Sequence, residues 1–183
     1  MCLAYSPSGK VLGVICQDDD HNMAAYNTET GQLIASSKGD RGNIIEMSFQ
    51  DDNTFATAGS KHFKLWTISG GTIKGKAGTF GTNDQRIGSC VFNGKTALTG
   101  CITGAVYQWN GGSLAKTFKN HTKLVDAITV DQNSLFTGGR DSLVVKMDRT
   151  SYAVQQKWDF SVPNLLFSLK EKYPVSAQIR AIT

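Results

Sequence analysis

Long hydrophobic runs are missing from this sequence. The longest apolar stretch, Val11 to Cys16, is interrupted by Gly13 and is far too short to cross a bilayer as a helix. Residues 1–10 have no apolar core of signal-peptide length, so neither a leader nor a membrane partner is expected. Cysteines number only four, Cys2, Cys16, Cys90 and Cys101, in apolar strand patterns without close pairing, which reads as reduced core residues of a cytosolic protein. Histidine is scarcer still: His21, His62 and His121 stand 41 and 59 residues apart, and no Cys or His falls at metal-ligand spacing. They read as turn residues that cap backbone groups. No Gly-rich loop opens a helix to cradle phosphate. The run Asp18-Asp19-Asp20 lacks the alternation and distal glutamate of a calcium loop, and reads as a solvated turn. Ser6, Ser89 and Ser176 have no histidine and carboxylate partners that sequence reveals. No arginine-rich or aromatic-interleaved basic stripe speaks for nucleic acid. An enzyme is therefore not expected, nor are a cofactor, a metal or a small-molecule substrate.

What the sequence does hold is glycine, 19 in 183 residues against three prolines, with 40% hydrophobic residues and a net charge of +4. That balance suits an all-β chain rich in turns. Thr57 to Gly81 is the most complete unit. Phe63 and Leu65 alternate with Lys64 and Trp66, the period of a two-faced strand. Gly70-Gly71 supplies the left-handed positions of a tight hairpin, and an outer strand is expected to run on to Gly78-Thr79-Phe80-Gly81.

Similar units precede and follow it. Equivalent positions before the first turn of each unit, Tyr5, Phe49, Phe92 and Val130, are spaced by 44, 43 and 38 residues. That is the period of a four-stranded propeller blade, and a lone four-stranded sheet cannot cover both of its apolar faces. The expected fold is therefore an all-β, WD-repeat-type β-propeller of about four blades, near residues 2–43, 44–86, 87–125 and 126–162. Tyr26, Trp66, Trp109 and Met147 end the third strands and are read as packing between blades. Ile179 to Ile182 reads as the first strand of a fifth blade, so an incomplete arc of a larger propeller is expected. Between lies an apolar cluster, Leu165, Leu166, Phe167 and Leu169, read as an insertion or short amphipathic helix.

In the fourth unit His121, Thr137 and Asp141 stand where the WD-repeat superfamily keeps a buried hydrogen-bonding network, with Met147 at its tryptophan position. A closer likeness rests on Gly59-Ser60-Lys61-His62-Phe63-Lys64-Leu65-Trp66-Thr67, Gly78-Thr79-Phe80-Gly81, Thr99-Gly100, Gly104 to Trp109, and Thr137-Gly138-Gly139-Arg140-Asp141. Over residues 14–149 the chain resembles the echinoderm microtubule-associated protein-like (EML) family. The resemblance implies consecutive blades of a first propeller that binds tubulin or microtubules, in the cytoplasm and cytoskeleton, with the axoneme of a cilium or flagellum as one setting.

Charge placement suggests where such a partner would sit. Turns between second and third strands share one propeller face with the blade-to-blade connections. In blades two to four that face gathers Lys61, His62, Arg86, Lys119, Lys123 and Arg140, the expected partner-binding residues, offset by Asp18 to Asp20 in blade one. The opposite face carries Glu29, Asp51, Asp52, Asp131 and Asp148 among fewer cations. A basic sector of this kind suits an acidic protein lattice. A general WD-repeat scaffold for a non-cytoskeletal complex is the alternative.

Overall fold

The computed structural model describes residues 2–83 and 86–161, and every regular element among them is a β-strand. The segments expected at Leu165 to Leu169 and Ile179 to Ile182, and Ser176, lie outside the described residues.

Sixteen strands make four antiparallel blades. Blade 1 holds β1 (Cys2–Tyr5), β2 (Val11–Ile15), β3 (Met23–Asn27) and β4 (Leu33–Ser37). Blade 2 holds β5 (Asn43–Asp51), β6 (Thr54–Ser60), β7 (His62–Ser69) and β8 (Thr72–Ala77). Blade 3 holds β9 (Ile87–Asn93), β10 (Thr96–Cys101), β11 (Ala105–Asn110) and β12 (Ser113–Lys119). Blade 4 holds β13 (Val125–Val130), β14 (Ser134–Gly139), β15 (Leu143–Asp148) and β16 (Val154–Asp159). Each strand pairs with its sequence neighbour, and the innermost strands β1, β5, β9 and β13 lie side by side in chain order. The outermost strands of blades 1 and 2 also touch, through one parallel pair, Ser36 with Thr72.

Alternation sets these faces. In β2, Val11, Gly13 and Ile15 point into the interface with blade 2 while Leu12 and Val14 point away. Three apolar layers result, one between each pair of successive blades. The first joins Ile15, Met23 and Ala25 to Met47, Phe55 and Trp66. The second joins Ala56, Ala58 and Phe63 to Ala97, Tyr107 and Trp109. The third joins Leu98 and Val106 to Leu135, Val145 and Met147. Each fully buried large side chain contributes about 1.5–3 kcal/mol. Gly13 is needed for close approach: a Cβ there would stand 2.5 Å from the Met47 side chain.

Several sequence expectations are corrected. The outer strand of blade 2 ends at Ala77. Beyond it, Gly78 to Gly81 turns inward so that Phe80 meets Trp109 edge-on at 5.0 Å. Gly70 and Gly71 do take φ of 57° and 81°. Only Cys90 and Cys101 are buried; Cys16 is exposed, because it follows the last inward residue of β2 and enters the acidic turn. Tyr26 is half-buried, unlike Trp66, Trp109 and Met147. No described blade covers its side of blade 1.

Candidate partner-binding face

Turns between second and third strands are bonded to the connections between blades, which puts both on one face. His121 N–H donates to the Gly104 carbonyl at 3.2 Å, Ile102 N–H to Arg86 at 2.9 Å, and Arg140 N–H to Leu124 at 2.9 Å. Ser60 forms an isolated bridge with Arg86, bringing the blade 2 turn beside the next connection. Lys61 sits at the tip of that turn with φ of 58°, a conformation uncommon for a residue with a side chain. Its side chain is exposed over a cleft of about 360 Å³ lined by Asp40, His62, Lys64 and Gly78 to Gly81.

The six residues singled out in the sequence do not behave alike. Lys61, Lys119 and Lys123 are exposed and have no ion pair among the described residues. Arg86 is exposed and already makes an interaction within the chain. Arg140 is held by Asp126, Nε to Oδ2 at 2.6 Å, which offsets its charge at the surface. His62 is only 4% exposed and serves the interior instead. The tight turn hands the surface to Lys61 and folds the next side chain under it.

Beneath this face lies a polar network. In blade 4, His121 Nδ1 meets Asp141 Oδ1 at 3.0 Å and Nε2 meets the Thr137 hydroxyl at 2.8 Å. Asp141 also accepts from Thr122 N–H at 2.8 Å. Burial works against the Asp141 charge, yet the Thr122 and His121 bonds hold its carboxyl below the usual carboxylate range. The chain of bonds stops there, since Met147 has no N–H to offer.

Blade 2 builds the same network with two members exchanged. The carboxylate, Asp40, comes from the connection and the histidine, His62, from the turn, with Nδ1 and Oδ2 3.8 Å apart. His62 Nε2 lies 2.6 Å from the Thr57 hydroxyl, which also accepts from Trp66 Nε1–H at 2.8 Å. The Thr57 hydroxyl, which accepts from Trp66, keeps a proton that it can donate to His62 Nε2, an arrangement that turns Nδ1–H toward Asp40. Burial drives the His62 pKa down to about 4, which fits a neutral ring. Lys64 Nζ closes on Asp40 at 2.8 Å, and this bond, with the Gly42 N–H, holds Asp40 below its ordinary pKa. Blade 3 keeps only Trp109 Nε1–H to Thr99, at 2.9 Å. His62 thus bonds to a side chain and not to the backbone groups that sequence reasoning gave it, whereas His121, Thr137 and Asp141 form the network expected from their places in the fourth unit. Asp40 and Thr57 were missed. The recurrence of threonine two residues after Phe55, Ala97 and Leu135 is a signal that would have found Thr57.

Acids on the opposite face have a local job. Asp131 accepts from Asn133 and Ser134 N–H, and Asp148 from Thr150 and Ser151 N–H, closing turns.

Near the innermost strands, Glu46 reaches from blade 2 to accept Cys90 N–H of blade 3 at 2.8 Å. Burial pushes its pKa up to about 7, against the pull of that bond. A folded pKa above the ordinary 4.5 means that the folded state binds more protons between about pH 4.5 and 7, so this group's stabilising effect fades as pH rises through 7. Glu46→Gln, which keeps the acceptor and removes the charge, is expected to stabilise the chain by on the order of 2 kcal/mol at about pH 8. The gain should vanish near pH 4.5, as read from urea midpoints of the two proteins.

No protein-family model matches the chain. Among curated proteins it is 27% identical to ciliary WD repeat-containing protein ctxp80 of Euplotoides octocarinatus, over 78% of this chain and 21% of the relative. It is 26% identical to echinoderm microtubule-associated protein-like 2 of Mus musculus, over 79% of this chain and 24% of the relative. Actin-interacting protein 1 of Drosophila melanogaster is 22% identical, over 80% of this chain and 25% of the relative. The solved β-propeller domain of Myceliophteria thermophila Cps50 (Swd1) matches with a TM-score of 0.70 at 12% identity, over 86% of this chain and 59% of that one. The fold is a β-propeller. The propeller blades described here span about a fifth to a quarter of the length of these curated relatives. EML proteins stand among the relatives, in keeping with the turn motifs at Lys61 and Arg140.

Proposed function

We propose that this chain is a non-catalytic, microtubule-associated propeller module whose turn face meets an acidic protein lattice such as tubulin. The observation that carries the reading is the set of exposed cations Lys61, Lys119 and Lys123, without an ion pair among the described residues, on the face where turns and connections are bonded together. Relatives named for cilia and for microtubules support the choice of lattice. Cytoplasm and cytoskeleton, with the axoneme as a setting, follow from the same reading. Charge reversal of all three lysines is expected to weaken co-sedimentation of the protein with microtubules about tenfold or more, and wild-type binding should fall with added salt. Lys95→Glu, an exposed change in a turn of the opposite face, should leave binding unchanged. Equal binding by the triple variant would remove the basic face from the account.

A relative named for actin keeps a second reading open, that of a WD-repeat scaffold for another assembly. Binding to actin filaments or other partners, with no microtubule pelleting, would favour it.

A further inference from the structure

Two segments singled out in the sequence, the Lys61 turn and Gly78 to Gly81, meet on the turn face of blade 2. With Asp40 of the incoming connection they wall a cleft of about 360 Å³, a volume at the small end of ligand pockets. All lining residues fall between Asp40 and Gly81, and the base of the cleft rests on blade 3. Phe63 and Phe80 make that base. They are 2% and 7% exposed, and their rings are held against Trp109 at 4.0 and 5.0 Å.

The cleft is already built. Gly78 N–H donates to the Phe63 carbonyl at 2.8 Å, and Thr79 N–H to Gly112 of blade 3 at 2.8 Å. A Cβ on Gly78 would stand 2.5 Å from the Phe63 ring, so only glycine lets the backbone lie this close to the base. Little is left to order when a ligand enters. The charge on its walls is one-sided as well. The Asp40 carboxylate is engaged within the chain, Oδ2 accepting from Lys64 Nζ at 2.8 Å and Oδ1 from Gly42 N–H at 2.9 Å. Lys61 stands on the rim as an exposed cation without an ion pair among the described residues. A left-handed backbone holds it there, with φ of 58°, which glycine would adopt at less cost.

We propose that this cleft receives an aspartate or glutamate side chain from an acidic segment of a protein partner, its carboxylate bonded by Lys61 Nζ and its methylenes laid over Phe63 and Phe80. An acid answers the Lys61 charge, whereas a basic side chain would meet the ammonium groups of Lys61 and Lys64. This use of the cleft rests on the reading of the turn face as a surface for an acidic partner; Lys119 and Lys123 lie outside it. Lys64 makes entry visible. Its Nζ lies 4.8 Å from the centre of the Trp66 ring while bonded to Asp40. A carboxylate arriving beside Asp40 draws on the same ammonium, so the Trp66 Nε1–H resonance should move although the indole is buried.

Proton–nitrogen correlation spectra of the 183-residue chain, titrated with oligoglutamate, are expected to show saturable shifts at Lys61, Thr79, Gly81 and the Trp66 indole. Oligoglutamine at equal concentration should shift none of them. Lys61→Gly removes the ammonium and eases the backbone, so it should stay folded and bind oligoglutamate about tenfold more weakly. Lys119→Ala should bind as the parent does. Shifts confined to the surroundings of Lys119 and Lys123, or undiminished affinity of Lys61→Gly, would overturn the cleft and leave the basic face in place. Absence of any shift would overturn it too. Cleft binding of oligoglutamate by a protein that does not pellet with microtubules would uphold the cleft and remove the lattice instead.

Discussion

Trp109→Ala is expected to lower stability by about 4–5 kcal/mol, with the urea midpoint falling and the slope unchanged. The indole is 1% exposed and belongs to two blades at once. It stacks on Phe63 of blade 2 at 4.0 Å and meets Phe80 edge-on. Alanine would leave a cavity in the second interblade layer and strip the Thr99 hydroxyl of its donor. The backbone around it cannot collapse into the space, because it is fixed by strand pairing on both sides. In a domain of this size the loss corresponds to roughly 10–15 °C in melting temperature. Trp109→Phe separates the contributions: a ring still stacks on Phe63, while the N–H and part of the indole volume are lost, for about 1–2 kcal/mol. A cost for alanine no larger than that for phenylalanine would mean that blades 2 and 3 are not held together through this ring.

That ring shows how far the sequence could be read. Its aromatic character, its place at the end of a third strand and the 44- and 43-residue repeat are all visible without coordinates. Strand alternation and turn glycines carry the blade pattern, since both are local and each follows from backbone sterics. What local pattern does not carry is which neighbour answers a polar side chain. Asp40 and His62 are 22 positions apart, and their exchange between connection and turn becomes apparent only when the two segments are seen side by side. Arg140 shows the same limit at the surface. Its place on the turn face was legible, but its charge is offset by Asp126, on the strand beneath. Tyr26 shows it in the core: the stripe and the incomplete arc were both legible, yet Tyr26 was read as packing between blades and no described blade covers it.

The exchanged network also sets apart the three threonines that share a register position. Thr57→Val is expected to cost about 3–4 kcal/mol, because it strands two buried partners, Trp66 Nε1–H and His62 Nε2, at once. Thr99→Val strands one, Trp109 Nε1–H, and Thr137→Val one, His121 Nε2, so each should cost about 1–2 kcal/mol. Shape and volume are nearly constant in all three changes, and all three hydroxyls are fully buried. The differences therefore report hydrogen bonding and not packing. Acidity offers a second handle on the same bond. The Thr57 proton can be given to His62 only while Nε2 is bare, and the ring stays neutral until the pH nears 4. For wild type, a folded His62 pKa below the ordinary 6.5 means stability is lost as pH falls from 6.5 through 4. The penalty of Thr57→Val should thus hold steady from about pH 8 to 5, the range over which His62 stays neutral in the fold. Urea titrations of the three valine variants across that range check both statements. Equal costs for Thr57 and Thr99 would show that His62 draws nothing from the hydroxyl, and that the histidine of the Lys61 turn is held by packing alone.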